Sequence, residues 1–71
     1  MFEIDAEQLK AARIAAFMSQ RDLADAAGIA HATVNRLERG HISEARGITV
    51  RKLAAALGIE PSAFAKPAGA S

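Results

Sequence analysis

The chain contains no cysteine, so neither a disulfide nor a thiolate metal site is available to it. Histidine is scarce as well. His31 and His41 are the only two, ten residues apart and outside any ligand-spaced cluster. No metal and no cofactor is therefore expected. No apolar run approaches the roughly 20 residues of a membrane span. The opening stretch Met-Phe-Glu-Ile-Asp-Ala-Glu lacks the basic start and apolar core of a signal peptide. These absences predict a cytoplasmic protein with no membrane partner. Strand-period alternation and internal repeats are missing too, which leaves helix as the organising element. Charge of one sign is also in short supply: nine Lys and Arg stand against eight Asp and Glu, a net charge of +1. At 71 residues the chain is one domain, near the lower limit for folding without staples.

The charge that is present is unevenly placed. Residues 1–30 carry Lys10, Arg13 and Arg21 against five acids. Residues 31–52 carry Arg36, Arg39, Arg46, Arg51 and Lys52 against Glu38 and Glu44, together with both histidines. Such a basic stretch supplies the electrostatic part of nucleic-acid affinity, although an equally small bias also occurs on ordinary solvated surfaces.

Five helices can be read from their start signals. An apolar residue just before an N-cap packs on one five positions later. That spacing occurs at Ile4/Leu9, Met18/Leu23, Ile29/Val34, Ile48/Leu53 and Ile59/Phe64. Asp5 with Gln8 and Ser19 with Asp22 resemble capping boxes. Thr49 is placed to cap the fourth helix, and Glu60 followed by Pro61 to open the fifth. Ala30 offers no side-chain acceptor, so the third helix lacks a cap worth about 1 kcal/mol. Gly28, Gly40 and Gly58 each follow a helical stretch, where a left-handed residue is wanted. Residues 40–49 read as a loop, its 41–48 conformation left open. Residues 1–65 form the domain, and 66–71, without apolar anchors, form a disordered tail.

Residues 19–40 carry the functional signal: a short helix, a turn at Gly28 and a second short helix. Two helices so joined can place the second in the DNA major groove. At 100° per residue, His31, Asn35, Arg39, Ala32 and Arg36 fall within an arc of about 140°. Val34 and Leu37 point the other way, toward Leu23, Ala24, Ala27 and Ile29. Arginine can bond guanine bidentately, asparagine adenine, and an alanine methyl can touch thymine. The face is competent to read bases; the alternative is a plain solvated helix face.

Several ordered segments resemble the lambda-repressor-like (Cro/repressor, xenobiotic-response-element) helix-turn-helix family. They are Leu9-Lys10-Ala11-Ala12-Arg13, Met18-Ser19-Gln20-Arg21-Asp22-Leu23-Ala24, Gly28-Ile29, Thr33 to Gly40, and Leu53 to Ile59. Together they span about residues 6 to 65. The resemblance implies an all-α, compact five-helix bundle whose helices 2 and 3 form the helix-turn-helix. It implies that Gln20 contacts the DNA backbone and braces the recognition helix. His31, Ala32 and Arg36 would reach base edges, while Thr33, Asn35 and Arg39 would lie near phosphates or flanking bases. It also implies an ion pair between Arg13 and Glu38, with a solvent-exposed Glu38 as the alternative. Two departures stand out: Ala30 replaces the usual hydroxyl cap, and the loop from Gly40 to Thr49 is longer and lacks proline. From that loop Arg46 could reach a phosphate or the minor groove.

The leading expectation is a repressor-like transcriptional regulator that binds a double-stranded DNA operator as a homodimer. The end of helix four and helix five, around Ile59 and Phe64, are candidate dimer surfaces, with Phe64 equally suited to the core. An antitoxin that masks a toxin or other protein partner and represses its own operon is the alternative. An enzyme is poorly supported. Ser19, Asp22 and His31 make a triad by residue type alone, but Ser19 is better placed as a cap and His31 has no orienting acid.

Overall fold

The computed structural model describes residues 1–69. Strand β1 (Phe2–Ile4) leads into helices α1 (Ala6–Ala15), α2 (Gln20–Ala27) and α3 (His31–Glu38). Strand β2 (Glu44–Ala45), helix α4 (Gly47–Leu57), a 3-10 turn (Pro61–Ala63) and strand β3 (Ala65–Pro67) follow. Among the described residues four α-helices, not five, therefore carry the fold, and a small antiparallel sheet in the order β2-β1-β3 completes it.

The first two helix starts follow local chemistry. Asp5 accepts from the Gln8 amide at 3.1 Å and caps α1. Ser19 and Asp22 form a complete reciprocal capping box on α2. Ala30 precedes α3 without any side-chain cap. Gly28 ends α2 in the left-handed region at φ +70°, and the next amide, Ile29 N–H, reaches back to the Ala24 carbonyl at 3.0 Å. That bond closes the helix end and turns the chain into α3.

Helix α4 starts earlier than Thr49. Its N-cap is Arg46, without a side-chain cap bond, so Thr49 lies inside the first turn. The five-residue spacing still operates, but through Ala45 and Val50, both buried; Ile48 is 52 % exposed. The residues read as loop are thus partly ordered: Glu44–Ala45 pair with Phe2 and Glu3.

The fifth helix is replaced by one 3-10 turn. Glu60 and Pro61 open it as their sequence suggests. Phe64 then enters the core at 1 % exposure, and its carbonyl accepts the Asp5 amide at 2.8 Å. This commitment pulls the chain out of helix and into β3, where Ala65, Lys66 and Pro67 pair with Ile4, Glu3 and Phe2. The expected disordered tail from residue 66 is corrected accordingly for Lys66 and Pro67; residues 70 and 71 lie outside the described residues. Pro67 suits an edge strand, which needs no donor on its open side.

The core joins all four helices to Phe64. Leu9, Leu23, Val34, Leu37, Leu53 and Phe64 are its largest fully buried side chains. Phe2 and Ile4 lean on it from the sheet. The approach of β1 to α4 is close: a Cβ at Gly47 would sit 3.1 Å from the Phe2 ring. Among the described residues no helix is long and apolar enough to cross a membrane.

Candidate nucleic-acid interface

Helix α3 is fixed on one side and open on the other. Val34 and Leu37 are buried, whereas His31, Ala32, Arg36 and Arg39 are exposed. Thr33 and Asn35 are half-buried between the two sides. The angular reading holds for His31, Ala32, Arg36 and Arg39 but not for Asn35, which is half-buried and bonded to Gln20, and it leaves one imidazole and two guanidiniums facing outward. Among the described residues neither Arg36 nor Arg39 enters an ion pair.

A polar chain locks the other edge of α3. Arg13 of α1 meets Glu38 through two parallel bonds, Nε to Oε2 at 2.7 Å and Nη2 to Oε1 at 3.0 Å. The side chains are only 12 % and 2 % exposed. The bond to Glu38 raises the Arg13 pKa above its ordinary value; burial opposes it, and the Glu38 charge adds to it. Arg13 also donates Nη1 to the Met18 carbonyl at 2.8 Å, so one guanidinium holds both the α1–α2 turn and the end of α3.

Glu38 has a third donor. Gln20 gives Nε2 to its Oε1 at 3.1 Å, and Gln20 Oε1 accepts from Asn35 Nδ2 at 3.1 Å. The carboxylate can only accept, which dictates the orientation of both amides. Gln20 must turn its NH2 to Glu38 and its carbonyl to Asn35. Asn35 must then offer its NH2 inward, leaving Oδ1 and one N–H for other partners. No buried side-chain nitrogen or oxygen among the described residues is left without a partner.

The structure thus gathers Arg13, Gln20, Asn35 and Glu38 into one hydrogen-bonded chain. It groups His31, Ala32, Arg36 and Arg39 on the open side of α3. Arg46 stands apart from both, exposed at the start of α4. Gly28 makes the turn between α2 and α3, and beyond its chain neighbours no atom comes within 4 Å of where a Cβ would lie. Gln20 was expected to brace α3, but the particular bonds, Gln20–Asn35 and Gln20–Glu38, were not foreseen. They join residues 15 and 18 positions apart, and only the turn geometry brings these together. Glu38 at the edge of the buried arc was the one available signal.

At the N-terminus of α2, the Asp22 carboxyl is held below its usual range. The Ser19 backbone N–H is the largest cause and the Ser19 hydroxyl the next, against a smaller effect of burial.

A family model described as helix-turn-helix matches residues 9–64. No curated protein matches the chain. Among solved structures, the restriction-modification controller protein C.AhdI from Aeromonas hydrophila is similar at 34 % identity. The match covers 82 % of this chain and 86 % of that one, with a TM-score of 0.77.

Proposed function

Since the chain belongs to the xenobiotic-response-element type of helix-turn-helix family, DNA-binding transcriptional regulators, we propose that it binds an operator as a homodimer and reads the major groove with α3. One observation carries the reading. The side of α3 that faces away from the fold bears His31, Ala32, Arg36 and Arg39, while an ion pair, an amide chain and two core residues fix its orientation. A rigid helix with unspent donors is what base readout requires.

The residues divide by task. Arg36, one turn beyond Ala32, reads a base, and guanine suits its forked donor. His31 and Ala32 touch neighbouring base edges. Arg39, Thr33, Gln20 and the free Asn35 oxygen or N–H lie toward phosphates and set register. Asn35 also braces, because half of its amide is engaged with Gln20. Arg46 serves a phosphate or the minor groove from the start of α4.

A homodimer on a two-fold site would set two recognition helices about 34 Å apart. Because Phe64 belongs to the core, the exposed end of α4 with Ile59 is the remaining part of the surface first considered for dimerisation. The likeness to a restriction-modification controller protein supports a regulatory role. The antitoxin alternative would use residues after Phe64 to hold a toxin, but residues 65–67 are engaged with β1.

Selection of bound duplexes from a random-sequence pool tests the proposal. Recovery of a two-fold-related consensus supports it. Recovery of no preferred sequence at low salt overturns it.

A further inference from the structure

Phe17 is the one non-glycine residue with positive φ among the described residues, at +58°. It is also 96 % exposed. The turn that carries it is held firmly. Phe17 N–H donates to the Ile14 carbonyl at 2.9 Å and Met18 N–H to the Arg13 carbonyl at 3.2 Å. Arg13 Nη1 clamps the Met18 carbonyl from the other side. Glycine would adopt this left-handed backbone freely, whereas a bulky side chain is strained there. The fold gives the phenyl ring almost no burial in return. Ile14, whose carbonyl accepts the Phe17 amide, is a second large hydrophobic residue left exposed, at 55 %. An outward-directed ring at a strained position is a mark of function to be tested.

We infer that the Phe17 ring is a flanking DNA contact, packing on deoxyribose faces of the backbone beside the base pairs that α3 reads. This rests on the operator-binding reading above. Position supports it first. Gln20, three residues on, is bonded to Asn35 and Glu38 of α3, so the turn adjoins the flank of the reading helix. The first helix of a helix-turn-helix crosses the DNA backbone. Here that helix is α2, and Phe17 lies in the turn that enters it. Chemistry supports it next. A DNA backbone alternates apolar sugar faces with phosphates. Phe17 offers the apolar half, and Arg21, exposed in the first turn of α2, the cationic half. The acid closest in sequence, Asp22, has its carboxylate turned to the Ser19 amide at 2.9 Å.

Phe17→Gly and Phe17→Asn both suit a left-handed backbone and remove the ring. Duplexes recovered with the wild-type chain would be used in long form and in a form trimmed of flanking base pairs. Both variants should melt at or above the wild-type temperature and keep its base preferences. Each should lose about five- to tenfold affinity for the long duplex and match the wild type on the trimmed one. Unchanged affinity for the long duplex overturns the inference. So does a loss that tracks weaker self-association in sedimentation, which would assign the ring to a second copy of the chain. Arg36→Ala on the same duplexes separates this failure from a failure of the operator reading. If Arg36→Ala alters base preference while Phe17→Gly changes nothing, only the flanking contact falls.

Discussion

Removing Arg13 should destabilise the domain more than removing any surface charge, and the structure sets the scale. An exposed ion pair contributes about 0–1 kcal/mol. The Arg13–Glu38 pair is bidentate, and the Glu38 side chain is 2 % exposed. Arg13→Ala leaves that carboxylate with one remaining side-chain donor, Gln20, and releases the Met18 carbonyl. Breaking a fully buried pair costs about 3–5 kcal/mol. Arg13 is 12 % exposed, so some solvent reaches the site, and a loss of about 2–4 kcal/mol follows. Glu38→Ala should cost somewhat less, because the stranded guanidinium keeps the Met18 carbonyl and reaches water. For a domain of this size each kcal/mol shifts Tm by about 4–8 °C. Thermal and urea melts of both single variants and the double variant complete a cycle. Coupling of about 1–3 kcal/mol is expected for residues in direct contact. Coupling below about 0.5 kcal/mol would refute the reasoning and reduce the pair to a surface contact.

Gly28→Val should cost about 1–2 kcal/mol, from backbone conformation alone, since beyond its chain neighbours no atom lies within 4 Å of the new Cβ; an unchanged melting temperature would contradict this. Phe64→Ala should cost about 3–5 kcal/mol because the ring is 1 % exposed, and a loss of dimer without loss of stability would move Phe64 from the core to an interface. The Asp22 carboxyl is held below its unfolded value, near 3.8. Its stabilisation is therefore present above that pH and fades as pH falls through the lower, folded-state value. NMR titration should show the Asp22 pKa rising only part of the way in Ser19→Ala, because the larger backbone N–H contribution remains, and no change would remove the Ser19 hydroxyl as a cause.

The first three helices were legible because each begins with a local device: an apolar pair five apart around a cap or a tight turn. The same spacing misled at α4. Ile48/Leu53 is the more conspicuous pair, but Ala45/Val50 is the pair that is buried, and a small alanine gives little signal. The fifth helix failed for a tertiary reason. Pro61 did open a turn, yet the Phe64 carbonyl was taken by Asp5 from the far end of the chain. The sheet was hidden because its longest strands have three residues, too few for alternation to show. The exposed face of α3 was visible because 3.6-residue periodicity alone separates Arg36 from Val34 and Leu37. The amide chain behind it was not, since Gln20 and Asn35 lie on different helices. Nor was the left-handed Phe17, where only a glycine would have signalled the backbone.

The central claim is that Arg36 reads a base while Arg39 holds a phosphate, and one binding experiment decides it. Wild type, Arg36→Ala and Arg39→Ala would be titrated against a consensus operator and its single-base variants at two salt concentrations. Arg36→Ala should cost about 1–3 kcal/mol per half-site and erase discrimination at one base position. Arg39→Ala should weaken all duplexes about equally and lower the salt slope by about one. If Arg36→Ala instead lowers affinity uniformly and leaves every base preference intact, Arg36 is a phosphate contact and the assignment of the reading face is wrong.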